Sequence, residues 1–310
     1  MSLNMSSRDS KRSHREFNTS SKRRNHSEFS SLKKKNDAFN GQHKGEETVV
    51  ILYYKPKGVI TSHSNQDSVS LNNLQPQEQD GRITVYQDVM SMKGFINAEN
   101  LNKSFSQVTG IHSKFHAIGR LDVDTTGLLL LTNDGGLVHH VTNPNSATAL
   151  DQGKIVKVYD ALIMGYHTLD PELETSTKLL QLSKGVDIGK KYGGMTLPPN
   201  ELQVLNHPSS KTTLVRIAIS EGKNRQVRRM FHAIGSGVIQ LHRRQVGNID
   251  LDMLAMGSED QVAEGSWRLL TKKEIMNGLN WKVRPLVDAK KQTSKSNSNN
   301  RKSGNKRRRR

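Results

Sequence analysis

The chain has 310 residues, with 47 Lys+Arg against 29 Asp+Glu for a formal net charge of +18, and no cysteine. The missing cysteine excludes a disulfide framework, thiolate zinc sites, iron–sulfur clusters and thiol catalysis. No apolar run approaches the roughly 20 residues needed to cross a bilayer, and no apolar stretch of secretory type follows the N-terminus, so neither a membrane span nor a secretory signal is expected.

In chain order, residues 1–48 come first, with 11 Lys+Arg, 6 Asp+Glu and few apolar side chains. Such a segment cannot bury enough surface to offset its ordering entropy and is expected to be a disordered basic tail. Val49-Val50-Ile51-Leu52-Tyr53-Tyr54 is β-branched and aromatic, and Lys55-Pro56-Lys57-Gly58 ends it, a strand running into a turn. Residues 62–116 are polar and rich in Asn and Gln, with weak helical character near 85–92. Leu128-Leu129-Leu130-Leu131-Thr132 reads as a buried strand, turned by Asn133-Asp134-Gly135-Gly136. Lys154 to Met164 and Leu214 to Ile219 read as further strands. From Asn224 the spacing becomes helical: Val227, Met230, Phe231 and Ile234 share a face, Arg225, Arg228 and Arg229 lie on others, and Gly235 stops the helix. Val238 to Val246 alternates as a strand, and Thr271 with Glu274 forms the capping box of a last short helix. No repeat of fixed period is present. Strands scattered through 49–288 with few helices between them predict one α+β domain on a large mixed, mostly antiparallel sheet.

Residues 289–310 close the chain with 10 Lys+Arg and no acid, ending in Lys306-Arg307-Arg308-Arg309-Arg310. The two tails hold +15 of the +18, so the charge describes two basic appendages more than a basic globular face. A cationic tail grips phosphates without reading sequence, through counterion release. It also suits a solubility tail or a nuclear address. Removing 289–310 is expected to flatten the salt dependence of nucleic-acid affinity while leaving the function of the core intact. An unchanged salt slope would show that the tail is no nucleic-acid anchor.

The segment that carries chemistry is Gly119-Arg120-Leu121-Asp122-Val123-Asp124-Thr125-Thr126-Gly127, feeding the apolar strand. Read from residues alone, it is a polar loop with two carboxylates that serve equally well as turn or cap residues. The run closely resembles the catalytic motif of pseudouridine synthases of the RsuA-like branch, which modify ribosomal RNA. Further motifs follow that branch's order. They are Lys55-Pro56-Lys57-Gly58-Val59, Lys157-Val158-Tyr159, Arg225-Gln226-Val227-Arg228-Arg229-Met230, and Leu241, Arg243 and Gly247, followed by Leu251, Leu254 and Trp267-Arg268-Leu269. The likeness spans about residues 49–280.

The resemblance implies the pseudouridine synthase fold with a central cleft, no cofactor and no metal. It makes Asp122 the catalytic carboxylate, acting on a flipped-out uridine either as nucleophile or as the base that starts elimination at the sugar. It makes Arg228 the bidentate partner of Asp122, since a nearby guanidinium favours the charged form of a carboxylate. Tyr159 would stack on the extruded base. Lys55, Lys57, Arg120, Lys157, Arg243 and Arg244 would line the RNA path, with Arg225 and Arg229 as phosphate contacts or structural pairs.

The small RNA-binding module that usually precedes the catalytic domain in this branch has no counterpart in 1–48, which points to the RluE-like sub-branch and to large-subunit ribosomal RNA. Segments 62–116 and 255–266 look longer than the family pattern and are expected as surface loops near the RNA. A monomer in the bacterial cytoplasm is expected, with nucleus or organelle as the eukaryotic alternative. The rival function is a non-catalytic RNA-binding or ribosome-assembly factor on the same fold, which would have no need of Asp122, Tyr159 and Arg228 together. Three other signals are weak. Gly185 to Lys191 is one residue short of a phosphate loop, His112 and His116 lack the glutamate of a zinc helix, and Asp122 with Asp124 lacks a glycosidase geometry.

Overall fold

The computed structural model describes residues 46–61, 82–96, 103–112, 114–143, 154–172, 176–255 and 262–283. Both basic tails, apart from residues 46–48, lie outside the described residues, as do 62–81, 97–102 and 256–261.

The frame is one nine-stranded sheet. Its strands are β1 (Val50–Lys55), β2 (His116–Ala117), β3 (Thr125–Thr132), β4 (Lys157–Met164), β5 (Glu201–Ser209), β6 (Thr212–Ile219), β7 (Val238–Val246), β8 (Ile249–Asp250) and β9 (Trp267–Leu269). The main path runs β5-β6-β4-β7-β3-β1-β9, with β2 on β3 and β8 on β7. Among the described residues six α-helices accompany it: α1 (Val85–Met90), α2 (Phe105–Thr109), α3 (Gly135–Thr142), α4 (Ser176–Leu182), α5 (Gln226–Ala233) and α6 (Lys272–Leu279). The α+β expectation holds. Every pairing between these strands is antiparallel except β3 with β7, where Thr125, Thr126 and Gly127 run beside Leu241, His242 and Arg243.

The leucine run of β3 shows why this strand is central. Successive side chains point to opposite faces. Leu129 and Leu131 enter one core with Tyr53, Trp267 and Phe231, while Leu128 and Leu130 enter a second with Leu137, Val246 and Leu279. A strand covered on both faces must be apolar at every position. Strand β4 differs. Tyr159, Ala161 and Ile163 are buried, but Asp160 faces outward and holds Arg216 of β6 through two hydrogen bonds of 2.8 and 2.9 Å.

Two expectations need correction, and one strand was missed. Asn133-Asp134-Gly135-Gly136 opens α3 instead of turning the strand back. The Asp134 carboxylate accepts from the backbone N–H of Gly136 and Leu137, capping a helix that buries Leu137 and Val141. The part of 62–116 that is described is no surface loop. α1 and α2 each carry a full capping box, on Thr84/Gln87 and Ser104/Gln107, and bury Val85, Tyr86, Val89 and Phe105. α1 is the weak helical stretch expected near 85–92, and polar composition concealed only α2. The edge strand β5 has no buried position, so it lacks the apolar signal by which strands are found.

At the C-terminal end, Thr271 caps α6 as expected, and Glu274 takes a second role. Its carboxylate accepts two hydrogen bonds from Arg268, at 2.7 and 3.1 Å, besides the Thr271 N–H. The Arg268 pairing, more than any other contact, holds the Glu274 pKa down at about 2. A depressed carboxylate adds stability above its unfolded pKa and loses it as pH falls toward the folded value. Glu274→Gln is therefore expected to cost about 1 kcal/mol in denaturant melts at pH 7. The gap to the parent should narrow as pH drops from about 4.5 toward 2. A gap independent of pH would contradict the pairing.

Candidate active site

The parallel β3–β7 junction positions the site. Parallel strands start at the same end of a sheet, so the loop that leads into β3 and the helix that leads into β7 meet there. Asp122 and Asp124 lie in the first, Arg225 and Arg228 in or beside the second, although about a hundred residues separate them in sequence. The aspartate loop is a tight turn closed by the Thr125 N–H on the Asp122 carbonyl at 3.0 Å, and the Gly58 N–H ties it to β1 through the Val123 carbonyl at 2.8 Å.

Two acids and two arginines form one cluster. Arg225 Nη1 lies 3.2 Å from Asp122 Oδ2 and 3.8 Å from Asp124 Oδ1. Arg228 Nη2 lies 3.0 Å from Asp124 Oδ2, and Arg228 Nε lies 3.7 Å from Asp122 Oδ2. The bidentate Arg228–Asp122 contact expected from the resemblance is thus corrected. Arg228 grips Asp124 and reaches Asp122 only at ion-pair range, leaving its buried Nε without a hydrogen bond. The geometric reason is that Arg228 is spent on the backbone: its guanidinium also donates to the Val238 and Asp124 carbonyls at 3.1 and 3.3 Å. Burial lowers the pKa of Arg228 from its usual value while Asp124 opposes that shift.

The closer partner of Asp122 is Arg225, and its placement is unusual. Arg225 precedes α5 with φ 49° and ψ 34°, the left-handed region that costs a non-glycine residue about 1 kcal/mol. Gln226 stabilises this entry, accepting from the Lys223 N–H at 2.9 Å and donating to Glu221 at 2.6 Å.

In front of Asp122 opens a cavity of about 510 Å³. Asp122, Tyr159, Arg120, Lys157, Arg225 and Arg243 line it, and Asp124 and Arg228 do not. Tyr159 is 9% exposed, faces Arg243 across β4 and β7, and presents its ring toward the same space as Asp122. The arrangement offers a carboxylate, an aromatic wall and cations around a volume that suits one nucleoside.

The remaining basic residues divide between supporting and surface positions. Lys55 is fully buried and is corrected from RNA contact to loop support. Its ammonium donates to the Pro56 and Thr125 carbonyls, both at 3.0 Å, beneath the aspartate turn. Burial lowers its pKa to about 8, opposed by Asp124, Glu264 and Asp122. Arg244 leaves the cavity and pairs with Asp252 at 2.6 Å and Asp250 at 3.6 Å. Arg229 lies on the Tyr192 ring, 3.1 Å from its centroid, and bonds to Asn224. Lys57 is exposed but outside the lining.

A fold in which a carboxylate loop and an arginine-bearing helix meet at one parallel junction defines the class. The chain belongs to the RNA pseudouridylate synthase family, whose profile matches residues 49–233. Its relatives include the ribosomal small subunit pseudouridine synthase A of Escherichia coli K12, 37% identical over 162 residues that cover 52% of this chain and 58% of that protein. The proteins of that name from Vibrio cholerae and Pasteurella multocida are 32% and 30% identical, each alignment covering 73% of this chain and 71% of the relative. These are RsuA-type proteins, and the E. coli alignment spans little more than half of the relative's length. A crystal structure of a pseudouridylate synthase superposes with TM-score 0.49 at 27% identity, covering 75% of this chain and 74% of that one.

Proposed function

We propose that this chain converts uridine in ribosomal RNA to pseudouridine, with Asp122 as the carboxylate that acts on a flipped-out nucleotide. The observation that carries the reading is the division of labour between two neighbouring acids. Asp122 borders the cavity, while Asp124 lies outside its lining and holds Arg228 at 3.0 Å. A turn built only for structure has no need to turn one carboxylate toward a void walled by Tyr159 and five cations.

The reaction needs no redox change. The bond between N1 and the ribose breaks, the ring turns, and C5 bonds to the same sugar carbon while its proton leaves. Asp122 serves either by bonding to the sugar carbon or by taking a sugar proton. Arg225 at 3.2 Å and Arg228 at 3.7 Å hold the carboxylate in place. Tyr159 stacks on the ring, and Arg120 at the exposed rim contacts phosphate. Residues 49–288 act as the catalytic domain in this reading.

On the ribosomal subunit, the resemblance to the RluE-like sub-branch suggests the large one, and the names of the relatives favour the small one. The test is a pseudouridine map of both rRNAs from cells with and without this chain, complemented by the parent or by Asp122→Ala. Loss of one or a few modified positions, restored by the parent only, supports the reading and names the subunit. Identical maps in all strains would leave a non-catalytic RNA-binding factor as the better account.

A further inference from the structure

Most buried or half-buried arginines among the described residues meet a carboxylate: Arg216 meets Asp160, Arg268 meets Glu274, and Arg228 meets Asp124. Two cations in the cavity wall do not. Lys157 is 8% exposed and Arg243 is 3% exposed, and no carboxylate among the described residues lies within ion-pair distance of either. The Arg243 Nε donates to the Leu128 carbonyl at 2.7 Å, which fixes the side chain, while its Nη2 is buried with no partner. Burying two like charges without compensation is costly, and each unpaired donor adds to the cost. Such a pair is retained where a ligand supplies the missing negative charge.

The position of the pair says which part of the ligand that is. Lys157 and Tyr159 lie two apart on β4 and share a face, and Tyr159 stands opposite Arg243 on β7. Asp122 and Arg225 approach from another wall of the same cavity. Around the two cations the lining is Tyr159, Leu241, Ile219 and Val246, surfaces that suit a flat ring and not a hydrated phosphate. When the N1–sugar bond breaks, its electron pair stays on the ring and spreads onto the two carbonyl oxygens. It remains there until C5 bonds to the sugar carbon and the C5 proton leaves. The negative charge of the reaction is therefore greatest on the detached ring.

We propose that Lys157 and Arg243 hold the uracil ring by its carbonyl oxygens and stabilise the anion that exists between loss of the N1 bond and formation of the C5 bond. This rests on the function proposed above and assigns the residues that bear the ring's charge. Lys157 is also suited to show the effect in pH. Burial first, then Arg243, lower its pKa to about 8. Its charge is complete well below that value and is lost above it. Arg120, Asp122, Tyr159, Lys223 and Arg225 face the same cavity, and Lys55, with a pKa also near 8, lies under the aspartate turn outside the lining.

The experiment uses the full chain, an rRNA fragment containing the target uridine, and enzyme in excess, so that the rate on bound RNA and the affinity are read separately. Lys157→Met is expected to slow the bound rate about 100-fold at pH 7, the range for loss of one preorganised donor, with RNA affinity within about threefold of the parent. The parent rate should fall as pH rises through about 8, and that fall should be absent in Lys157→Met, which separates Lys157 from Lys55. Lys157→Arg should recover most of the rate and stay flat past pH 8, and its folding guards against a collapsed cavity. Weaker RNA binding with an unchanged bound rate would overturn the proposal and make the pair a phosphate contact. So would a high-pH fall that persists in Lys157→Met. A parent chain that forms no pseudouridine at all would instead overturn the function on which the proposal rests.

Discussion

Asp122→Asn is expected to slow pseudouridine formation on bound RNA by roughly a thousandfold or more, since the change removes both nucleophilic and basic character from one atom group. The fold should survive. The Asp122 side chain is 27% exposed, and Asp124 remains to pair with both arginines. RNA affinity should hold within a few fold, because the change removes a negative charge and leaves every cation of the cavity lining in place. Asp124→Asn is the control. It removes the 3.0 Å partner of Arg228, which should loosen the site and lower the rate by about tenfold, while leaving the carboxylate that borders the cavity in place. Single-turnover rates and binding curves for both variants decide the matter. A larger loss in Asp124→Asn than in Asp122→Asn would transfer the catalytic role to the second acid.

The second large effect is structural. Gly127 has φ 107° and sits where β3 and β7 run parallel, opposite Arg243. A Cβ there would stand 2.3 Å from the Arg243 carbonyl oxygen and 2.7 Å from its amide nitrogen. Both are backbone atoms, so neither can swing aside as a side chain would. Gly127→Ala must part the two strands that bring the aspartate loop to α5, at a cost of roughly 3–5 kcal/mol from clash and strained backbone together. The melting temperature should fall by about 10 °C, and activity should fall with it even where the protein is still folded. Gly58→Ala is the comparison. It shares a positive φ, 92°, but no atom lies within 4 Å of its Cβ position, so about 1 kcal/mol is expected. Equal losses in the two variants would mean that the β3–β7 approach is not what Gly127 secures.

Much of the frame is readable from the chain because the apolar pattern is strong where strands are buried. Leu128 to Leu131 declare a strand covered on both faces, and Thr271 with Glu274 declares a helix start. Helix α1 is only faintly readable, and edge strand β5 and helix α2 are not, since their polar faces dominate the local composition. Asp122 and Tyr159, singled out by motif, lie together at the cavity and Arg228 lies next to them, but motif alone misassigns the partners. Lys55 belongs to a motif and is buried as a loop support, and Arg225 belongs to a motif and holds the acid more closely than Arg228 does. A physical signal for that pairing exists. Helix α5 carries no acid in its first turn, and Arg225 and Arg228 crowd its positive end. Cations so placed require anions from another element, and Asp122 and Asp124 are those anions. The isolation of Lys157 and Arg243 leaves no trace in sequence, because it depends on what is absent around them in three dimensions.

The most direct measurement of the central claim is pseudouridine formation by the purified full chain on unmodified small- and large-subunit rRNA, mapped nucleotide by nucleotide. The account predicts conversion at one or a few discrete uridines of one subunit without added cofactor, and none with Asp122→Ala under the same conditions. Conversion that proceeds equally well with Asp122→Ala, or RNA that is bound by the parent and left unmodified at every uridine, would contradict it.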